Sequence, residues 1–222
     1  MKLAHPELKM IIEDKENIIN VLVIENEKFF CRTVEDIYAQ INGYDGDYVI
    51  SRNNEPIQWS RNSEIITQYV PFDINRKSLI TKLYNKLKNE ALGNYYAETC
   101  EISGRISEYV SMLSNSVDAE LCFDESTDAA GIFKLVNLKF EESGNSIAEK
   151  MISYMQNVRE LEGEKWFIAV GLKNYLDKNE LIELYHTVFL KKIKLLLIEG
   201  NDKENLEGEK KYIIDKELCE IY

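Results

Sequence analysis

The 222-residue chain lacks long apolar runs and has few cysteines and histidines. No run approaches the roughly 18 apolar residues that span a bilayer, and the first residues lack the apolar centre of a signal peptide. The four cysteines are isolated, without CxxC spacing and without a histidine close by. We therefore expect a cytoplasmic protein with reduced thiols and no membrane partner.

The sequence motifs of common hydrolases are also missing. Neither the phosphate-loop pattern GxxxxGK followed by serine or threonine nor GxGxxG occurs. The only two histidines, His5 and His186, are too far apart for an HExxH zinc site, and no GxSxG nucleophile elbow exists. We expect His186 to have a structural role in a helix, and we expect no enzymatic activity.

Acidic residues outnumber basic ones, giving a formal net charge of −12 and a pI near 4.8. Phosphate repels such a surface, which argues against indiscriminate coating of nucleic acid. Net charge says nothing about a local basic strip, which this composition still allows.

Short apolar runs that alternate with amphipathic stretches predict an α/β protein. The predicted strands are residues 20–25, 48–50, 138–140, 165–170, 194–199 and 212–214. A capping box at Ser146–Glu149 and a cap at Asp177 open two of the helices between them. Strands that alternate with helices favour parallel pairing through right-handed crossovers, so we expect a mostly parallel sheet flanked by helices.

A long helical insertion interrupts this pattern. Amphipathic stretches at residues 76–92, 102–117 and 129–136 follow one another without a strand signal. Such helices must cover their apolar stripes against each other or against another subunit. We predict an α/β head domain over 1–72 and 140–222 and an all-helical leg domain, or arm, over 73–139.

Three stretches of the sequence resemble one family. The first is residues 72–75 (Phe-Asp-Ile-Asn) with the helix that follows, the second runs from Lys134 to Lys165, and the third from Tyr175 to Glu199. In their order and spacing they are similar to the ring-forming CRISPR-associated proteins of type II-A systems, the Csn-two family.

The resemblance implies a specific function. It implies a head like a degenerate nucleotide-hydrolase sheet without a phosphate loop, and a homotetrameric ring with a positively charged hole. Double-stranded DNA ends would enter that hole without sequence preference, in CRISPR spacer acquisition and antiviral defence. Calcium bound by acids of the leg would support the ring, and the integrase and effector nuclease of the CRISPR system would be partners.

The resemblance and local charge together select the candidate site residues. Five DNA-binding candidates follow from position in the family pattern: Lys134, Lys139, Lys150, Arg159 and Lys165. Three more follow from the densest basic run alone: Lys191, Lys192 and Lys194. The calcium candidates are the acids of one short segment, which offers the hard oxygen ligands that calcium prefers: Asp118, Glu120, Asp124, Glu125 and Asp128.

Two other functions stay open at this point. A metal-dependent nuclease or nucleotide hydrolase would use the same acids to hold magnesium, but the acids then need to face a scissile phosphate at a sheet edge. A structural adaptor that binds only proteins would use the leg helices as its interface.

Overall fold

The computed structural model describes residues 1–124, 128–142 and 144–221. The chain divides into two compact units, Met1–Ile74 with Glu142–Tyr222 and Asn75–Glu141, which we refer to as the head and the leg. In chain order the strands are β1 (Lys2–Ala4), β2 (Ile12–Glu13), β3 (Ile19–Ile24), β4 (Val49–Arg52), β5 (Glu55–Pro56), β6 (Ser63–Ile66), β7 (Trp166–Val170), β8 (Lys194–Glu199), β9 (Glu209–Ile214) and β10 (Glu220–Ile221). The helices are α1 (Glu27–Ile41), α2 (Trp59–Asn62), α3 (Lys77–Leu92), α4 (Tyr96–Ser114), α5 (Ala129–Leu135), α6 (Ile147–Glu162) and α7 (Lys178–Leu190), with a 3-10 turn at Leu172–Asn174.

Six strands form the main sheet of the head, in the order β10-β9-β3-β8-β7-β6. The five strands from β9 to β6 are parallel, and β10 pairs antiparallel with β9. Leu22 of β3 lies in register between Ile198 and Tyr212. All six residues of β3 are buried, which is why this strand reads as a continuous apolar run. The predicted fold class, an α/β protein with a mostly parallel sheet flanked by helices, is confirmed.

A second, antiparallel sheet of the head has the order β2-β1-β4-β5. It contains the predicted strand at residues 48–50, observed as β4. The edge strand β6 of the main sheet was not predicted, because Ser-Glu-Ile-Ile is too short and too polar at its start to show a strand pattern.

The predicted strand at residues 138–140 is wrong. These residues form no strand, and a side chain satisfies the backbone there instead. The Asn75 amide donates to the Phe140 carbonyl oxygen at 3.1 Å, and its Oδ1 accepts from the Phe140 N–H at 2.9 Å. One asparagine thus replaces the partner strand that the backbone of Phe140 would otherwise need.

The leg is organised around α3, which buries Leu79 and Ala91. The Tyr84 hydroxyl donates to the Leu138 carbonyl oxygen at 2.9 Å, and its ring meets that of Phe133 edge to face with centroids 5.5 Å apart. These contacts hold α5 and the segment after it against α3.

Helix α4 has 19 residues and buries none of them. Several of its apolar side chains are about half exposed or more, namely Ile102 (47%), Leu113 (50%), Tyr109 (58%) and Met112 (61%), whereas Ile106 and Val110 are half-buried. Among the described residues, no helix is both long enough and apolar enough to cross a membrane. The described part of the chain therefore leaves much of the apolar side of α4 exposed.

Candidate nucleic-acid interface

The densest basic run of the sequence lies where α7 ends and β8 begins. Lys192 Nζ is 3.3 Å from a carboxylate oxygen of Glu16, and Lys194 Nζ is 3.9 Å from one of Asp14. Burial raises the pKa of the Asp14 carboxyl, and the amino terminus and Lys194 oppose that shift. In the described part of the chain, Lys191 alone of the three lysines has no acidic partner. Much of the charge of this run is therefore compensated within the head.

Two other candidates of the head have structural contacts. Arg159 joins the ends of two helices, because its Nε donates to Glu164 at 3.0 Å and its Nη1 donates to the Lys191 carbonyl oxygen at 2.7 Å. Lys165 is only 2% exposed, and its Nζ is 2.7 Å from a carboxylate oxygen of Glu162. A phosphate cannot reach a lysine buried in this way, so we leave Lys165 out of the interface proposed below.

Lys150 lies on α6, half-buried, at a cleft of about 410 Å³. The same cleft is lined by Phe72, Asp73 and Glu142. Lys150 therefore presents its charge beside acids rather than within a cluster of cations.

The two candidates of the leg are exposed. Lys134 is in the last turn of α5, and Lys139 follows that helix. Asp128 caps α5 by accepting from the Gly131 N–H at 2.8 Å, and Lys88 Nζ lies 3.2 Å from its other oxygen. The Gly131 N–H, the Lys88 contact and the charge of Lys134 together hold the pKa of the Asp128 carboxyl below its usual range. The structure thus brings Lys88 and Lys134 together around one acid, and the group keeps a net positive charge.

The basic side chains of α3 are not among the candidates predicted from the sequence. Residues 74–89 hold five basic side chains and no acidic one, although the whole chain carries a net charge of −12. Lys77, Lys82 and Lys86 are exposed and Lys88 is half-buried. Counting acids as well as bases along the helix would have found this stretch, because the lysines are spaced by helical turns and do not form a run. The five residues are Arg76, Lys77, Lys82, Lys86 and Lys88.

The predicted calcium ligands that the structure describes do not form a cation cage. Asp118, Glu120 and Asp124 are exposed, whereas both carboxylate oxygens of Asp128 are already engaged as described. Glu125 lies outside the described residues. In ranges 1–124, 128–142 and 144–221, no group of three or more His, Cys, Asp or Glu side chains is placed to hold a metal ion. The described residues therefore do not fit the six to eight oxygen ligands of calcium.

The head has no room for a phosphate loop at its central strand. Such a loop joins a strand to a helix through the glycine-rich run, whereas only Glu25 and Asn26 separate β3 from α1. Asn26 Oδ1 accepts from the Phe29 N–H at 3.0 Å, which occupies the helix N-terminus where a phosphate would bind. The neighbouring carboxylates of Glu25 and Glu27 would also repel it.

Two similar proteins carry the same name, and one solved structure has a similar fold. A protein of Enterococcus faecalis named CRISPR-associated protein Csn2 is 21% identical over 207 residues, which cover 90% of each chain. A Streptococcus agalactiae protein of the same name is 23% identical over 203 residues, covering 89% of this chain and 87% of that one. The solved structure of Stu0660 of Streptococcus thermophilus has a TM-score of 0.60 at 14% identity, covering all of this chain and 76% of that one, which shows a common fold.

The family described as CRISPR-associated protein (Cas_Csn2) matches residues 40–218, most of the head and all of the leg. The resemblance seen in the sequence is thereby confirmed, and the chain belongs to the Csn2 family of CRISPR-associated proteins.

Proposed function

We propose that this protein is a non-catalytic ring protein that binds double-stranded DNA, preferably at linear ends, during CRISPR spacer acquisition. The observation that carries the proposal is the acid-free basic stretch of α3, joined by Lys134 and Lys139 in the same unit. Cations that face phosphates release condensed counterions, which supplies sequence-independent affinity. Membership of the Csn2 family supplies the CRISPR context.

The net charge of −12 makes assembly a necessary part of the proposal. A single acidic subunit repels a duplex as a whole, whereas copies that turn their basic faces inward attract it and leave the acids outside. The apolar side of α4 supports self-association, because Tyr109, Met112 and Leu113 are exposed in the single chain. We propose a homotetramer, with the integrase and effector nuclease of the CRISPR system as protein partners.

Calcium enters the proposal only as a prediction. The described acids of one chain do not form a calcium site. The proposals of DNA binding and of ring closure therefore do not require the ion. Calorimetry with calcium chloride and a thermal melt with and without calcium test it. Heat of binding and a raised melting temperature would support calcium binding, and their absence at millimolar calcium would contradict it.

The proposed DNA interface is tested by charge reversal at Lys134, Lys139 and Lys150 together. These side chains are exposed or half-buried, so the variant should fold and keep its oligomeric mass. We expect retention of a linear duplex to be lost, measured by fluorescence anisotropy across a salt titration. Unchanged affinity would remove the three lysines from the interface.

The same samples test the alternative functions. A nuclease would shorten linear DNA in magnesium or manganese, whereas a non-catalytic binder leaves its length unchanged. A protein-only adaptor would assemble through α4 and retain no duplex at low salt.

A further inference from the structure

A surface groove lies between α6 and α7 of the head, with a volume of about 740 Å³. Neither the DNA interface nor the apolar side of α4 includes it. Both helices line it, and the lining residues include Ala148, Glu149 and Ile152 of α6 and Glu180, Ile182 and Glu183 of α7.

The floor of the groove is apolar. Ala148 and Ile152 are one helical turn apart on α6, and Leu184 of α7 is fully buried beside them. Ile182 of α7 is 47% exposed and Ile152 is half-buried, whereas Ala148 and Leu184 are buried. The apolar surface that the groove exposes therefore comes from Ile182 of α7 and from Ile152 of α6.

The walls of the groove are acidic. Among the described residues that line it, three are glutamates and none is a lysine or arginine. Two of the glutamates are fixed in place by capping boxes: Glu149 accepts from the Ser146 N–H at 3.2 Å, and Glu180 accepts from the Asp177 N–H at 2.9 Å. Glu183 is exposed on α7. The walls therefore carry fixed negative charge above an apolar floor.

We propose that this groove docks a basic amphipathic helix of a partner protein. An amphipathic helix places apolar side chains one turn apart into such a groove and keeps its charged flanks at the rim. Lysine or arginine flanks match the three glutamates, whereas DNA and acidic segments are repelled by them. A second copy of this chain is a poor occupant, since its basic helix α3 keeps Leu79 buried within the leg. The inference goes beyond DNA binding and does not depend on it.

The test uses three labelled synthetic peptides of about 18 residues, which form about five helical turns. The first is an amphipathic helix of leucine, alanine and lysine, the second has the same composition in scrambled order, and the third has glutamate in place of lysine. Fluorescence anisotropy with the full chain should show saturable binding of the first peptide. The scrambled and acidic peptides should bind at least about tenfold more weakly, because they lack the apolar face or the matching charge.

Single substitutions test whether the first peptide binds in the groove. Ile182→Ser and Glu183→Lys should each weaken binding of the first peptide by about tenfold. Their matched controls are Leu190→Ser, at a 70% exposed leucine of the same helix outside the groove, and Glu108→Lys on α4, which should change affinity less than about twofold.

Three results would overturn the inference: no binding of the basic helix, equal binding of the scrambled peptide, or equal losses in the control variants. Equal binding of the scrambled peptide would reveal attraction by net charge alone, and equal losses in the control variants would show that the peptide does not bind in the groove. A duplex-retention assay on the same variants separates this inference from the DNA proposal, since Ile182→Ser should leave DNA binding unchanged.

Discussion

Replacing Lys82 and Lys86 of α3 by glutamine removes two exposed cations one helical turn apart without adding acid. If both contact phosphate, the salt dependence of duplex binding should flatten. Each lost phosphate contact removes about 0.9 from the slope of log K against log salt concentration, so the slope should fall by about 1.8 for each subunit that contacts the duplex.

This slope change sets the size of the measurable effect. Raising the salt from about 50 to 200 mM, roughly a fourfold change, weakens duplex binding of both proteins. Because the slope of the variant is smaller by about 1.8, its affinity should fall by a factor about 12-fold smaller than that of the parent. The assay is fluorescence anisotropy of a labelled linear duplex at five or more salt concentrations. Both substitutions lie on an exposed helix surface of good propensity, so the melting temperature should stay within about 1 °C of the parent.

A matched control keeps the change in net charge identical. Lys28→Gln with Lys216→Gln removes two exposed lysines of the head, beside Glu25 and Glu27. The control should lower affinity slightly and leave the slope unchanged, because a general field effect is not a phosphate contact. An equal slope change in both double variants, or none in the α3 variant, would refute the assignment of α3 to the interface.

Three further predictions concern stability. Burial raises the pKa of the Glu199 carboxyl, so the folded state disfavours its ionised form. Glu199→Gln should therefore raise the melting temperature at pH 8, where the glutamate is ionised in the unfolded chain. This gain should fade as the pH drops toward 4, because the glutamate of the parent is then protonated. Lys165→Met should cost about 3 kcal/mol in chemical denaturation by removing the buried cation that lies 2.7 Å from Glu162, yet keep the salt slope of DNA binding; a changed slope would return Lys165 to the interface. Asn75→Ala should cost about 2 kcal/mol and speed amide exchange in the leg, where it loses two backbone contacts; unchanged exchange would contradict that role.

The sequence predicts the main sheet because its central strands are buried on both faces. The runs at β3, β7 and β8 are apolar over nearly their whole length, which is a local signal. The edge strand β6 carries no such run, and the asparagine contact that replaces a strand at residues 138–140 joins positions 65 residues apart. A contact between residues so far apart in the chain cannot be recognised from the local pattern of apolar and polar residues.

The candidate interface is predictable in part. Sequence position identifies exposed lysines such as Lys134, but it does not reveal ion pairs. Lys165 therefore ranks as a DNA-binding candidate beside Lys134, although it is buried and forms an ion pair with Glu162. The dense run Lys191, Lys192 and Lys194 is easier to recognise in the sequence than the spaced lysines of α3. In the structure, however, Lys192 and Lys194 both lie close to acidic side chains. Charge balance over a helix is the better signal.

The most direct measurement of the central claim compares retention of a linear duplex with that of a covalently closed circle of the same sequence. An assembly that surrounds DNA with inward basic faces needs an end to enter, so the linear form should be retained and the closed circle lost at the same salt concentration. Equal retention of both forms would show that DNA lies on an open surface, and would contradict the ring.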